Sequence, residues 1–170
     1  MLFIFQGPSG SGKTTQAEKL ARRPGFYKIT TATTRSPRPG EIDGIDYYFL
    51  TESDYDARLK RGEFAAPTAI HGARYGIPKD ALEKAAFDKT RHAVLVLDAK
   101  GAEELRAMGA VIICLRLSEK ERHSRLMKRK ETGRFKKEPT ENFLCDHILE
   151  STGDEDAVFE KLDAIVQSYL

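Results

Sequence analysis

A glycine-rich segment near the start of the chain could bind the phosphates of a nucleotide. It reads Gly-Pro-Ser-Gly-Ser-Gly-Lys-Thr from position 7 to 14 and matches the pattern G-x-x-x-x-G-K-[ST]. Its glycines permit backbone torsions that turn successive amides inward around phosphate oxygens, and Lys13 could reach the β- and γ-phosphates. The Thr14 hydroxyl could bind the Mg²⁺ that bridges them. We therefore predict an ATP site formed by Gly7, Ser9, Gly10, Ser11, Gly12, Lys13, Thr14 and Thr15.

Two arginines further along the chain could hold a second phosphate group. Arg35 and Arg38 lie in a stretch where prolines stiffen the backbone and threonines border the guanidinium groups. Guanidinium groups bind phosphate through paired hydrogen bonds, and Tyr47 and Tyr75 could add phenolic donors. An exposed basic loop without a ligand is the alternative that composition alone leaves open.

A carboxylate at the end of an apolar run could serve the same site. Asp98 follows Val-Leu-Val-Leu, and a P-loop protein places its metal-side carboxylate at the C-terminal edge of the sheet. We therefore predict that Asp98, with Thr14, binds Mg²⁺. Asp98 could also cap a helix that begins near Gly101, and the two roles are compatible.

The elements around these residues predict an α/β fold. Leu2–Gln6 is typical of a buried parallel strand, and Lys13–Arg23 is typical of an amphipathic helix, which argues against a glycine-rich turn that binds nothing. A helical stretch, Ala102–Met108, separates two further apolar runs, Ala93–Asp98 and Ala110–Leu117, so the βαβ repetition indicates a parallel sheet flanked by helices. Further helices are predicted from the capping patterns of Thr51 with Asp54 and Ser118 with Glu121, and from the closing stretch Asp154–Leu170.

Two segments interrupt the alternation of strands and helices. Residues 31–78 are rich in Thr, Arg, Pro, Gly and Tyr, and we predict an inserted small mixed-β module that binds the acceptor. Residues 128–140 are basic and polar, which favours a short lid that meets phosphate. The remaining ranges, 1–30, 79–127 and 141–170, would form the P-loop core of a single domain.

Together these motifs resemble the guanylate kinase family, a branch of the nucleoside monophosphate kinases. The resemblance covers most of the chain and rests on residues 7–14, 33–47, 62–64 and 75–76, and on Asp98 with Gly101. It implies that the acceptor's phosphate is held by Arg35, Arg38, Tyr47 and Tyr75, that Thr31 contacts the base, and that Asp98 lines the shared site. Arg125 and Arg129, four residues apart, match lid arginines that neutralise the transferred phosphoryl group; a solvated helix face is the alternative.

The chain departs from the family pattern at two positions that would contact the acceptor's base and at one position beyond the lid. Ala66 stands where the family usually has a carboxylate that accepts hydrogen bonds from guanine, and Ile77 stands where it has a small hydroxyl residue. Glu63 and His71 are the nearest replacements. A further family arginine beyond the lid is also missing, since Thr140 falls at the expected spacing. The residues that could substitute for it are Arg134, Lys136 and Lys137.

The sequence thus predicts ATP-dependent phosphoryl transfer to a nucleoside monophosphate, with GMP or dGMP as the first candidate and Lys13, Arg125 and Arg129 as catalytic residues. A related kinase for another phosphorylated compound, or a non-catalytic binding module of the same fold, are the alternatives. The acceptor's base and sugar stay open at this stage.

The composition of the chain limits which partners and which cellular location the sequence predicts. With 28 basic and 26 acidic residues, the balanced charge does not indicate a nucleic acid or membrane partner. The N-terminal apolar run is too short for a signal sequence or a membrane span, so we expect a cytoplasmic enzyme. We also expect a monomer or homodimer whose partners are small nucleotides. Cys114 and Cys145 have neither metal-ligand spacing nor the density of a disulfide scaffold, and we expect two buried thiols.

Overall fold

Strands and helices alternate along most of the chain in the computed structural model, which describes residues 1–70, 72–128 and 144–170. The strands are β1 (Leu2–Gln6), β2 (Phe26–Lys28), β3 (Thr31–Thr33), β4 (Tyr47–Phe49), β5 (Phe64–Ile70), β6 (Ala73–Pro78), β7 (His92–Val96), β8 (Val111–Arg116) and β9 (His147–Glu150). The helices are α1 (Lys13–Ala21), α2 (Glu52–Lys60), α3 (Lys79–Phe87), α4 (Ala99–Arg106), α5 (Glu119–Lys128) and α6 (Glu155–Gln167).

A five-stranded parallel sheet forms the core, with strand order β2-β7-β1-β8-β9. Every residue of β1 is buried, because successive side chains point to opposite faces and helices cover both. On one face Phe3 and Phe5 pack with α1 and α6, and on the other Leu2 and Ile4 pack with α3 and α4. The prediction of a parallel sheet flanked by helices is therefore confirmed.

A second, four-stranded sheet lies within the predicted module 31–78. Its order is β4-β3-β6-β5, with β3 and β4 parallel and the other pairs antiparallel, so the prediction of mixed β structure is confirmed. The sheet and α2 enclose a small apolar cluster of Ala32, Tyr55 and Phe64. This sheet forms one wall of the site described below.

The predicted caps are present. Thr51 Oγ1 accepts a hydrogen bond from the amide of Asp54 at 3.1 Å, and Ser118 Oγ accepts one from the amide of Glu121 at 3.3 Å. Asp98 caps α4, so that helix begins at Ala99 rather than at the predicted Ala102. Helix α3 and the strands β2 and β9 were not predicted.

The expectation of two buried thiols is wrong. Cys114 and Cys145 form a disulfide with a sequence separation of 31 residues. The reason is the pairing of β9 with β8: the amide of Asp146 donates to the Ile112 carbonyl oxygen at 2.8 Å, so the segment just before β9 lies next to the strand that carries Cys114. Composition could not indicate this, because the pairing of an unpredicted strand creates the proximity.

Several predictions lie outside the described residues. They concern His71, Arg129, Arg134, Lys136, Lys137 and Thr140, and with them nearly all of the predicted lid. In the ranges that the structure does describe, no helix is both long enough and apolar enough to cross a membrane.

Candidate functional site

The glycine-rich loop connects β1, the central strand, to the N-terminus of α1. Gly10 and Gly12 both have φ 87°, a left-handed conformation that favours glycine, and a Cβ at Gly7 would overlap the carbonyl oxygen of Leu115. Lys13 Nζ donates to the carbonyl oxygens of Gly7 and Pro8, at 2.6 and 2.8 Å. The lysine therefore lies folded over the loop, where its ammonium group faces any anion that the loop amides bind.

A cavity of about 540 Å³ extends from this loop to the second sheet, and we call it the main cavity. Its lining contains predicted residues from both halves of the site. The residues from the loop and α1 are Gly7, Ser9, Gly10, Gly12, Lys13, Thr14 and Thr15, and those from elsewhere are Thr31, Arg35, Arg38, Tyr47, Tyr75 and Asp98. Ser11, also predicted to bind the nucleotide, is fully buried and does not line this cavity.

Glu41 holds the arginine pair in place, and no role was predicted for it. Its carboxylate accepts two hydrogen bonds from the Arg35 guanidinium, at 2.9 and 2.8 Å, and one from the amide of Arg38 at 2.7 Å. Burial alone would raise the pKa of Glu41, but the hydrogen bonds from Arg35 and Arg38 lower it below its ordinary value. The carboxylate thus stays ionised and fixes the direction of the Arg35 side chain.

The two tyrosines form the wall next to this pair. The rings of Tyr47 and Tyr75 meet edge to face with centroids 6.3 Å apart, and the Arg35 guanidinium lies 5.3 Å from the Tyr47 ring centroid. Burial raises the pKa of Tyr47, so its hydroxyl remains a hydrogen-bond donor at neutral pH. Two guanidinium groups and two phenols therefore meet at one end of the main cavity, a suitable set for a phosphate.

Asp98 both caps α4 and faces the main cavity. Its Oδ1 accepts a hydrogen bond from the amide of Gly101, and its Oδ2 accepts one from the Thr68 hydroxyl, each at 2.7 Å. Gln6, at the end of β1, donates to the Asp98 carbonyl oxygen at 3.0 Å. Sequence reasoning missed Thr68, because nothing in the local pattern indicates which β5 side chains reach α4.

The two positions that depart from the family pattern are packed into the core. Ala66 is 6% exposed and Ile77 is 1% exposed, and both belong to the apolar cluster around Leu82 and Leu105. Ala66 has φ 45° and is the one non-glycine residue with positive φ in the described part of the chain. The cavity wall at these two positions is therefore apolar.

A second cavity of about 240 Å³ opens on the other side of the loop, beside Gly12 and Thr15. Arg125 lines this second cavity and not the main one; its guanidinium donates to the carbonyl oxygens of Ser151, at 2.7 Å, and Gly10, at 3.4 Å. Arg122, which was not predicted, is buried behind the loop, and its Nε donates to the Ser9 carbonyl oxygen at 3.3 Å. Both side chains thus contact the backbone of the loop.

The donor set fits a magnesium ion that arrives with a nucleotide. Within the described ranges, no group of three or more His, Cys, Asp and Glu side chains could hold a metal. Mg²⁺ usually keeps several waters and binds through one or two protein oxygens plus substrate phosphates. Thr14 and Asp98 offer oxygens of this kind at the wall of the main cavity.

Comparisons with known proteins agree with this geometry. The family model described as "Guanylate kinase" matches residues 1–151. A guanylate kinase of Clostridium perfringens is 34% identical, over 98% of this chain and 82% of that protein, and one of Chlamydia trachomatis serovar D is 37% identical, over 80% and 68%. The crystal structure of guanylate kinase from Anaplasma phagocytophilum is similar with a TM-score of 0.78 at 26% identity, covering 99% of this chain and 85% of that one.

Proposed function

Since the chain belongs to the guanylate kinase family, we propose that it catalyses ATP-dependent phosphoryl transfer to a nucleoside monophosphate, with GMP and dGMP as acceptors. The observation that carries this proposal is the main cavity, which is shared by Lys13 of the loop and by Arg35 and Arg38 of the inserted sheet. Direct transfer between two phosphates requires a triphosphate site and a second phosphate site open to the same space.

The reaction needs positioning and charge stabilisation more than proton transfer. The bond between the γ-phosphorus and the β–γ bridging oxygen of ATP breaks, and a new bond forms to an oxygen of the acceptor's phosphate, leaving ADP. That acceptor phosphate is largely ionised at neutral pH, because the second pKa of a phosphate monoester is about 6, so no general base is required. Thr14 and Asp98 would hold Mg²⁺, which would supply charge neutralisation for the phosphates.

The catalytic cations must change partners when ATP binds. Lys13 donates to carbonyl oxygens of its own loop, and phosphate oxygens, which are stronger acceptors, would replace them. Arg125 donates to Ser151 and Gly10 and would have to exchange these carbonyls for oxygens of the transferred group. Arg129, the third proposed cation, lies outside the described residues.

The second cavity supports the assignment of the donor nucleotide. It adjoins the loop at Gly12 and Thr15, so the nucleoside of a triphosphate bound in the loop could extend into it. Gln16 lines this cavity, and its buried Oε1 has no hydrogen-bond partner among the described residues. Once the Gln16 amide turns toward the cavity, a base with an amino group, such as adenine, would satisfy that oxygen.

The second candidate is a kinase of the same architecture that acts on another phosphorylated compound. Ala66 and Ile77 favour it, because their apolar, buried side chains offer no hydrogen bonds to the base of a nucleotide acceptor. A non-catalytic binding module has less support, since the loop, Lys13, Thr14 and Asp98 are all present.

We further propose a cytoplasmic monomer or homodimer that acts on free nucleotides without a nucleic acid or membrane partner, in keeping with the balanced charge.

A coupled assay of ADP release tests the proposal. With ATP and Mg²⁺ present, we expect turnover on GMP and dGMP to exceed that on AMP, CMP and UMP, and removal of Mg²⁺ with EDTA to abolish it. Lys13→Ala should lose at least ~10³-fold in kcat, because it removes charge stabilisation at the transferred group. Turnover on GMP no higher than on the other monophosphates would sink the assignment of GMP, and no turnover on any of them would favour the binding module.

A further inference from the structure

We propose that Thr68 is a positioning residue that sets acceptor selectivity, because it holds the Asp98 carboxylate toward the acceptor's base. The inference rests on the proposed function and concerns the same cavity. Thr68 Oγ1 donates to Asp98 Oδ2 at 2.7 Å, and both residues line the main cavity. Asp98 is the one carboxylate in that lining among the described residues.

A β-bulge in β5 places Thr68 on the cavity face. Ala65 pairs with Ile77 and Thr68 pairs with Tyr75, so β5 contains one more residue than β6 between these two pairs. Without the additional residue, Pro67 would lie opposite Tyr75 and Thr68 would point to the other face of the sheet. Ala66, with its positive φ, lies inside this irregularity.

The arrangement on the sheet places Thr68 next to the residues that would hold the acceptor's phosphate. Tyr75, at the phosphate end, pairs with Thr33 on one side and Thr68 on the other, so these side chains share one face. An acceptor whose phosphate meets Arg35 and Tyr75 therefore shares the main cavity with Thr68 and with the Asp98 carboxylate that Thr68 contacts. The rest of this wall is apolar at Ala66 and Ile77.

The hydrogen bonding of the pair defines what it can recognise. A carboxylate has about four lone-pair positions; Gly101 and Thr68 each fill one, and the proposed Mg²⁺ would fill a third, so about one is left for an N–H group of the acceptor. The Thr68 proton is committed to Asp98, so the pair presents acceptors and no donor. It therefore selects bases that offer N–H groups, and the 2-amino group of guanine is the donor that separates GMP from IMP.

Isosteric replacement of the hydroxyl tests this role. We expect Thr68→Val to lower kcat/KM for GMP by at least ~10-fold and for IMP by less than ~3-fold, with KM for ATP unchanged. Thr68→Ser, which keeps the hydroxyl, should restore the GMP to IMP ratio. Thr90→Val is the matched control, because it removes a Thr–Asp hydrogen bond of the same 2.7 Å length in an exposed turn away from the cavity.

A double-mutant cycle separates positioning from general damage to the fold. In the Asp98→Asn background the effect of Thr68→Val on the ratio of GMP to IMP dissociation constants, measured without ATP or Mg²⁺, should disappear, because Thr68 acts through that carboxylate. If Thr68→Val fails to fold, as judged by its melting transition, the GMP to IMP ratio is compared between Thr68→Ser, which keeps the hydroxyl, and Thr68→Ala, which removes it.

Three results would overturn the inference while leaving the proposed function intact. The first is an equal loss for GMP and IMP in Thr68→Val, the second is a wild-type enzyme that does not prefer GMP to IMP, and the third is a changed Mg²⁺ requirement with an unchanged ratio. A wild-type chain that phosphorylates no nucleoside monophosphate would overturn the proposed function and this inference with it.

Discussion

At the scale of single residues, Glu41 decides how Arg35 is presented to a ligand. Arg35 is long and flexible, and fixing such a side chain costs conformational entropy when a ligand binds. Glu41 reduces this cost in advance through its paired hydrogen bonds, and it holds Arg38 by its amide. The guanidinium keeps further N–H groups for a phosphate, since arginine has five donors.

The Arg35–Glu41 pair gives stability a defined pH dependence. The pKa of Glu41 is lowered in the folded state, so the pair contributes stability above the ordinary carboxyl pKa of 4.5 and loses it as pH falls through the lower folded value. We expect wild type to melt at a higher temperature than Glu41→Gln at pH 7, and the difference to shrink below pH 4.5. Melting curves of both proteins from pH 7 to pH 3 measure this. A difference that stays constant or grows on acidification would contradict the assignment.

At the scale of elements, the irregularity in β5 joins the inserted sheet to the core. The left-handed backbone of Ala66 allows the register shift, and its methyl group packs toward Gly101 at the start of α4. Such a conformation is strained for residues other than glycine and is least accessible to β-branched ones. The strand is therefore held in this shape by its surroundings.

Because of the bulge, we expect position 66 not to accept valine, a residue that regular strand positions favour. We expect Ala66→Val to lower the free energy of unfolding by about 1 to 3 kcal/mol, because valine disfavours positive φ and its methyls have little room. Ala69→Val in the same strand is the control; Ala69 pairs regularly with Arg74 and should change stability by less than ~0.5 kcal/mol. Urea unfolding of both variants gives the comparison, and equal losses would contradict the proposed strain.

The sequence predicted the elements that carry their own local signals. The strands β1, β7 and β8 are continuous apolar runs, and α2 and α5 begin at capping residues. Helix α3 begins after Pro78 without a side-chain cap, and β9 has only Leu149 buried, so neither pattern stood out. Similarly, the loop and the arginine pair could be predicted from motifs, while Glu41 and Thr68 depend on contacts that no spacing encodes.

At the scale of the whole molecule, the disulfide joins the parallel sheet to the segment that precedes its last strand. Cys114 lies within the core cluster, and Cys145 is partly buried against it. A crosslink between residues distant in sequence stabilises mainly by restricting the unfolded chain, and its effect grows with the length of the closed loop.

Reduction of this crosslink should destabilise the fold measurably. For a separation of 31 residues, the loss of chain entropy corresponds to about 3 to 4 kcal/mol of unfolding free energy. We expect a phosphine reductant to lower the melting temperature of wild type and to leave a Cys114→Ser, Cys145→Ser double variant unaffected. Two free thiols found by titration of the unreduced, denatured wild-type chain would rule out the bridge.

The same bridge has a consequence for how the chain responds to cleavage. A single cut in the backbone anywhere between Cys114 and Cys145 would leave two polypeptides joined by sulfur, because the bond spans the cut. The nicked protein would migrate as one species in a denaturing gel without reductant and as two with it. The covalent molecule is in this sense a ring with two tails, of which the first carries the glycine-rich loop and the second carries β9 and α6.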